Sequence, residues 1–236
     1  MRLGLMMEGY VERGSTPARR LEEMVGQAVL AEEVGLDSFS VSEQHFKFHT
    51  NSVPQPDLIL TAVARETSRI RLGAAVVVLP LYHPLHVAER IAMLDVFSGG
   101  RVDFGMGRGN TAATAEAFEI AMSESEARAV ESIEVITRAW TEERVEHHGE
   151  YFSFNELAMT PRPIQQPTPP IYWAATSPGS HQRGGQVGYR LMTGGNAIDW
   201  GQCQRRIDRY NLGWAEGGHS GRPYVRINVH GFCAET

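Results

Sequence analysis

RIRLGAAVVVLPLYHPLHVAERIAMLDVFSGGRVDFGMGRG, residues 69–109, reads as a strand, a helix and a second strand. Ile70 to Val78 is an apolar, β-branched run with no polar alternation, the pattern of a strand covered on both faces. Pro84 then opens a helical segment that runs to Phe97, since proline is tolerated in a first helical turn. Arg101 to Met106 is the second strand, ending in a glycine-rich turn.

The same order recurs on both sides of this stretch. Further strands are expected at Arg2 to Met7, Ser38 to Val41, Ile171 to Ala174, Tyr189 to Met192 and Val225 to Val229. Helices are expected at Pro17 to Glu33, Pro56 to Thr67, Ser123 to Trp140, Pro178 to Gly185 and Ile198 to Glu216. Strands alternating with helices imply an α/β fold with a parallel sheet, either a barrel or a doubly wound sheet. The first expected strand is followed by MEGYVERG (7–14), without the GxGxxG of a dinucleotide-binding turn, and the run at 105–109 lacks the third glycine at the right spacing. A barrel therefore fits better. The segment from Arg144 to Pro170 breaks the rhythm and reads as a loop insertion with a short hairpin, either a lid or a surface excursion.

Length and composition narrow the function. A chain of 236 residues, 42% hydrophobic, can bury one substantial core, so a single domain is expected. No apolar run is long enough to cross a membrane, and Cys203 and Cys233 show neither a disulfide framework nor a zinc pattern. A cytoplasmic location is expected. The net charge of −6 and the single lysine, Lys47, give no basic patch for nucleic acid. His45, His49, His83 and His86 are plentiful, but no spacing sets imidazoles and a carboxylate on one helix face, so no metal site is expected.

In a parallel barrel, ligands bind at the C-terminal ends of the strands. There lie Glu8, Tyr10, Glu43, Gln44, His45, Phe46, Leu79 to His83, Gly107 to Asn110, Thr176 to Ser180 and Thr193 to Asn196. Thr176-Ser177-Pro178-Gly179-Ser180 follows a strand and opens a helix. It is either an anion site made of backbone N–H groups and hydroxyls or a simple cap by Ser177. Arg108 and Arg128 could bring guanidinium groups to the same anion, or could be surface ion-pair residues. His45 is either an acid, base or hydrogen-bond donor, or a structural histidine.

On GLDSFSVSEQHF (35–46), the 69–109 stretch, the arginine of SEARAVES and PPIYWAATSPGS (169–180), the sequence resembles the bacterial luciferase-like flavin-dependent monooxygenases from Arg2 to about Val229. The resemblance implies a luciferase-like (β/α)8 TIM barrel, here ending after about seven strands and short of its last β/α unit, as a fragment of a longer product would be. It implies reduced FMN as cofactor, a deazaflavin coenzyme being the alternative. It also implies dioxygen and an aldehyde- or ketone-like substrate, with a separate flavin reductase as partner. Arg108, Arg128, Thr176, Ser177 and Ser180 would hold the FMN phosphate. Ala74 and Ala75 would lie against the flavin ring, joined by a non-proline cis peptide. Gln44 and His45 would be the catalytic pair. Luciferases carry His-His there, and glutamine takes up no proton near neutral pH, so bioluminescence is not expected. Their reactive cysteine corresponds to Gly107. A non-catalytic flavin-binding subunit is a further alternative. A homodimer is implied, with Ala62, Arg65, Ile91, Leu94 and Asp95 near the interface.

Overall fold

The computed structural model describes residues 1–46, 51–195 and 199–231. Lys47, His49, Asn196, the expected helix start at Ile198 and Cys233 lie outside the described residues. The chain divides into two compact units, Met1–Pro170 and Ile171–Thr236.

The first unit alternates β1 (Gly4–Met7), α1 (Pro17–Glu33), β2 (Ser38–Val41), α2 (Pro56–Glu66), β3 (Arg71–Val78), α3 (Pro84–Ser98) and β4 (Val102–Gly107). These four strands pair in parallel and in chain order, with Gly4 beside Ser38, Ser38 beside Arg71 and Leu72 beside Val102. Then follow α4 (Ala112–Ala117), α5 (Ser125–Thr141) and an antiparallel hairpin of β5 (Val145–His148) and β6 (Ser153–Leu157), where the insertion was expected. The second unit holds β7 (Ile171–Ala174), α6 (Pro178–Gln186), β8 (Arg190–Gly195), α7 (Trp200–Glu216) and β9 (Val225–Val229), again with parallel neighbours.

Local chemistry explains these boundaries. Thr16 caps α1 by accepting the Arg19 N–H at 3.2 Å, and Pro17 supplies the first helical residue. Met24, Ala28 and Ala31 recur at helical spacing on the buried face of α1. In β3 and β4, Leu72, Ala74, Val77, Phe104 and Met106 are all buried, as strands covered on both sides require. Trp140 of α5 closes the core against Phe104, ring centroids 5.5 Å apart, and its indole N–H donates to the Ala88 carbonyl at 3.0 Å.

Part of the expected dimer face is interior. Ala62 and Arg65 are exposed, but Ile91, Leu94 and Asp95 are all buried within the first unit. The exposed apolar side chains of α2 and α3 are instead Leu58, Met93, Val96 and Phe97.

Candidate active site

At the end of β2, Glu43 is buried and collects three donors. Its Oε1 receives His45 Nε2 at 2.7 Å and the Tyr82 hydroxyl at 3.0 Å, and its Oε2 accepts the Val78 N–H at 3.1 Å. Gln55 Nε2 donates to the Tyr82 oxygen at 3.1 Å, Arg90 donates to Gln55 Oε1 at 2.9 Å, and the Arg90 guanidinium lies 4.6 Å over the Tyr82 ring. Burial first, and the Glu43 charge second, push the Tyr82 phenol well above its usual range, so it keeps its proton and donates it. His45 is buried, packed edge-on against Phe118 at 5.2 Å and tilted against Phe46 at 5.8 Å. Gln44 is half-buried and lines a cleft of about 640 Å³ with Tyr10, Arg13, Phe46 and Asn51. The expected pair is thus split: His45 points to a carboxylate, Gln44 to the cleft.

The cis peptide bond falls one residue later than expected, between Ala75 and Val76. The ladders explain the offset. Ala74 is held in regular register on both sides, opposite Val41 and opposite Phe104, and the register with β4 shifts only between Ala74 and Val77. Irregularity of this kind is frequent at sheet rims beside active sites. Ala74 is fully buried and Ala75 is 6% exposed, so Ala75 and the half-buried Val76 are the residues nearest an accessible face. Opposite them, a Cβ on Gly107 would stand 2.7 Å from Val76 Cγ2, so a larger residue at this position would require Val76 to shift.

Arg108 is exposed, lines a narrow cavity with Val78, Leu81, Asn110 and Ile120, and has no hydrogen-bond or ion-pair partner among the described residues. Gly109 beside it has φ +76°, and a Cβ there would meet Val78 at 2.9 Å. Arg128 is already engaged: its Nε pairs with Glu124 at 3.0 Å and its guanidinium lies 4.6 Å over the Tyr151 ring. Tyr151 is fixed in turn by Glu131, which accepts the Tyr151 and Phe152 N–H groups at 3.1 and 2.9 Å and meets His147 Nε2 at 3.0 Å. Burial works against the Glu131 charge, but these donors outweigh it and hold the carboxyl below its ordinary range.

In the second unit, Ser177 caps α6 by accepting the Ser180 N–H at 3.3 Å. The capping reading is therefore realised, yet it does not consume the turn. Ser180 Oγ accepts the Trp173 indole N–H at 3.0 Å, which leaves its own proton to donate. Thr176 and Gly179 are exposed, and a Cβ on Gly179 would meet nothing within 4 Å. Beneath the turn, buried His181 bonds the Ser177 carbonyl through Nδ1 at 2.6 Å and Thr193 Oγ1 through Nε2 at 2.9 Å. The carbonyl can only accept, so the proton sits on Nδ1, and burial holds the imidazole below its ordinary range. Hydroxyl donors at an open helix N-terminus in the second unit, and in the first a guanidinium without a partner among the described residues, each have the chemistry to hold a phosphate group.

A sequence model of the luciferase-like monooxygenases matches residues 1–236. The chain belongs to this family. The oxygenase component of flavin-dependent trigonelline monooxygenase from Acinetobacter baylyi is 30% identical across 100% of this chain and 66% of that protein. F420-dependent glucose-6-phosphate dehydrogenase from Kineococcus radiotolerans is 35% identical over 73% of this chain and 52% of its own length. The crystal structure of monooxygenase RslO1 from Streptomyces bottropensis superposes with a TM-score of 0.90 at 31% identity, covering 96% of this chain and 70% of that one. The α/β fold is the luciferase-like TIM barrel. The chain spans 49% to 66% of the length of the first curated relatives it matches. Glu43 and Tyr82 are among the strand-end residues that sequence reading names, but it assigns neither a part in proton handling. The signal that could have found the role of Glu43 is its place two residues before His45 at the end of β2; its other two donors, Val78 and Tyr82, lie far off in sequence.

Proposed function

We propose that the protein is the oxygenase of a two-component flavin monooxygenase. Reduced FMN from a separate flavin reductase, together with dioxygen, would oxidise a small aldehyde- or ketone-like substrate in the cytoplasm. The observation that carries this reading is the likeness to a flavin-dependent oxygenase component over the whole chain, including both the end of β4 and the α6 turn. When bound, reduced FMN supplies the two electrons that activate dioxygen, one oxygen atom entering the substrate and the other leaving as water.

The chain's own residues bind and manage protons. Arg108 carries a positive charge with no partner among the described residues and offers it to the phosphate, and Arg128 is held ready by Glu124 and Tyr151. Thr176, Ser177 and Ser180 supply hydroxyls at the α6 turn. Ala74 and Ala75 back the flavin ring, with Ala75 the closer to the surface. Gln44 can orient a substrate oxygen but cannot take a proton, so proton transfer falls to His45. A homodimer through α2 and α3 goes with this reading.

Oxygen uptake by the purified protein tests it. Reduced FMN should drive oxygen consumption above the uncatalysed rate, with a product one oxygen atom heavier than the substrate. Replacing Arg108 by Ala should weaken FMN binding by roughly 10- to 100-fold, the loss of a charge-assisted hydrogen bond of about 1.5–3 kcal/mol. The 35% identity with an F420-dependent dehydrogenase favours one second reading, hydride transfer from a reduced deazaflavin coenzyme. Turnover with that coenzyme and no oxygen uptake with reduced FMN would select it. Tight FMN binding without turnover of any aldehyde or ketone would select a non-catalytic flavin-binding subunit.

A further inference from the structure

The Glu43 side chain is 1% exposed and His45 is 6% exposed, so the pair is almost free of water. A buried carboxylate persists when donors surround it, and here three converge on its two oxygens. Val78 N–H can only donate. The Tyr82 oxygen already accepts from Gln55, which directs its own proton to Glu43. The carboxylate therefore has only acceptor positions to offer the imidazole.

We propose that Glu43 is a positioning residue that fixes His45 as the Nε2–H tautomer and so makes Nδ1 the atom that takes up a proton. Nδ1 has no hydrogen-bond partner among the described residues. A proton from the substrate or solvent adds to the Nδ1 lone pair while Nε2 keeps its own. The imidazolium charge then sits 2.7 Å from the Glu43 carboxylate, and the proton later leaves from the same nitrogen. No electrons change hands. Tyr82, Gln55 and Arg90 extend the support into α2 and α3, so the His45 ring is set by a chain of hydrogen bonds anchored in two helices. The inference rests on the reading of His45 as the proton-handling group.

Nitrogen-15 spectra of histidine-labelled whole chain test it, with the His45 signals assigned by their loss in His45→Ala. Wherever the spectra show the ring neutral, the wild-type His45 should carry its proton on Nε2. A neutral ring protonated on Nδ1 overturns the proposal without any variant. Glu43→Gln gives the sharper outcome. The Val78 N–H cannot turn away, so the new amide must aim its carbonyl at Val78 and its NH₂ at His45. The His45 tautomer should then invert to Nδ1–H. With the base nitrogen blocked, kcat should fall roughly 100-fold while KM changes by less than about 3-fold. A folded Glu43→Gln protein that keeps the Nε2–H tautomer, or keeps wild-type kcat, overturns the proposal. Tyr82→Phe leaves the carboxylate in place and should retain the wild-type tautomer; inversion there would assign the role to Tyr82. Full turnover by His45→Ala would remove the reading of His45 as proton carrier, while the spectra would still judge the effect of Glu43 on its tautomer.

Discussion

Asp95 has no exposed surface, and its carboxylate accepts the backbone N–H of Ile164 at 2.9 Å, that of Gln165 at 3.0 Å and the Gln165 side-chain amide at 2.7 Å. A few residues on, Arg101 donates to the carbonyls of Ala64, Thr67, Ile70 and Ser98 and to the Thr67 hydroxyl. The aspartate and arginine of the LDVFSGGR phrase therefore fasten α3 and β4 to their surroundings and touch no cavity described here. Replacing Asp95 by Ala leaves buried N–H groups unpaired, each costing about 1–3 kcal/mol. Urea denaturation should show a loss of about 3 kcal/mol, with Asp95→Asn retaining part of it; an Ala variant within about 0.5 kcal/mol of wild type, the range of neutral surface changes, would refute this account. The family resemblance placed Asp95 near a subunit interface, and nothing local pointed inward, since its partners lie 69 and 70 positions away. Periodicity carries no information at that range. The role of Glu43 was hidden in a similar way, since two of its three donors, Val78 and Tyr82, are 35 and 39 residues distant.

The elements themselves were largely visible, because their signals are local. α1, β2, β7 and β9 coincide with the residues expected from proline, capping and apolar runs. Helix α4 was not, being six residues of mostly small side chains without a side-chain cap. How elements are joined was less legible, and Glu32 shows why. It sits in the last turn of α1, and its carboxylate accepts the N–H groups of Ser68, Arg69 and Ile70 at the start of β3. Burial alone raises its pKa, but the three backbone donors and the Arg69 charge win and bring it down to about 2 from 4.5. The folded value lies below the unfolded one, so this join stabilises the fold above pH 4.5 and fades as the pH falls towards 2. Glu32→Gln should lower the urea midpoint at neutral pH, and the gap from wild type should close as acid is added. A gap that stays constant down to about pH 2 would mean that the carboxylate charge contributes nothing at this join.

At the scale of the whole molecule, alternation of strand and helix was enough to reach the parallel architecture, because a helix between two strands lets the second run parallel to the first. The outer surface was not legible in the same way, since a helix that is apolar on several faces does not announce which face stays in water. On α3 the inward set is Val87, Ala88, Ile91, Ala92, Leu94 and Asp95, which leaves Met93, Val96 and Phe97 outside, at i, i+3 and i+4 on one helix face. Met93 and Val96 are each 47% exposed and Phe97 51%. Such a stripe gives the proposed homodimer a concrete surface, different from the residues that the family resemblance implied. A stable interface buries about 800 Å² per partner, and its apolar centre tolerates charge poorly. Sedimentation of the intact chain at micromolar concentration should therefore give a dimer, and Met93→Glu with Phe97→Glu should give a monomer with an unchanged circular dichroism spectrum. Both side chains point away from the core, so their replacement should cost little in folding. A double variant that remains dimeric would move the interface elsewhere, and a wild-type monomer would leave the stripe without a partner copy.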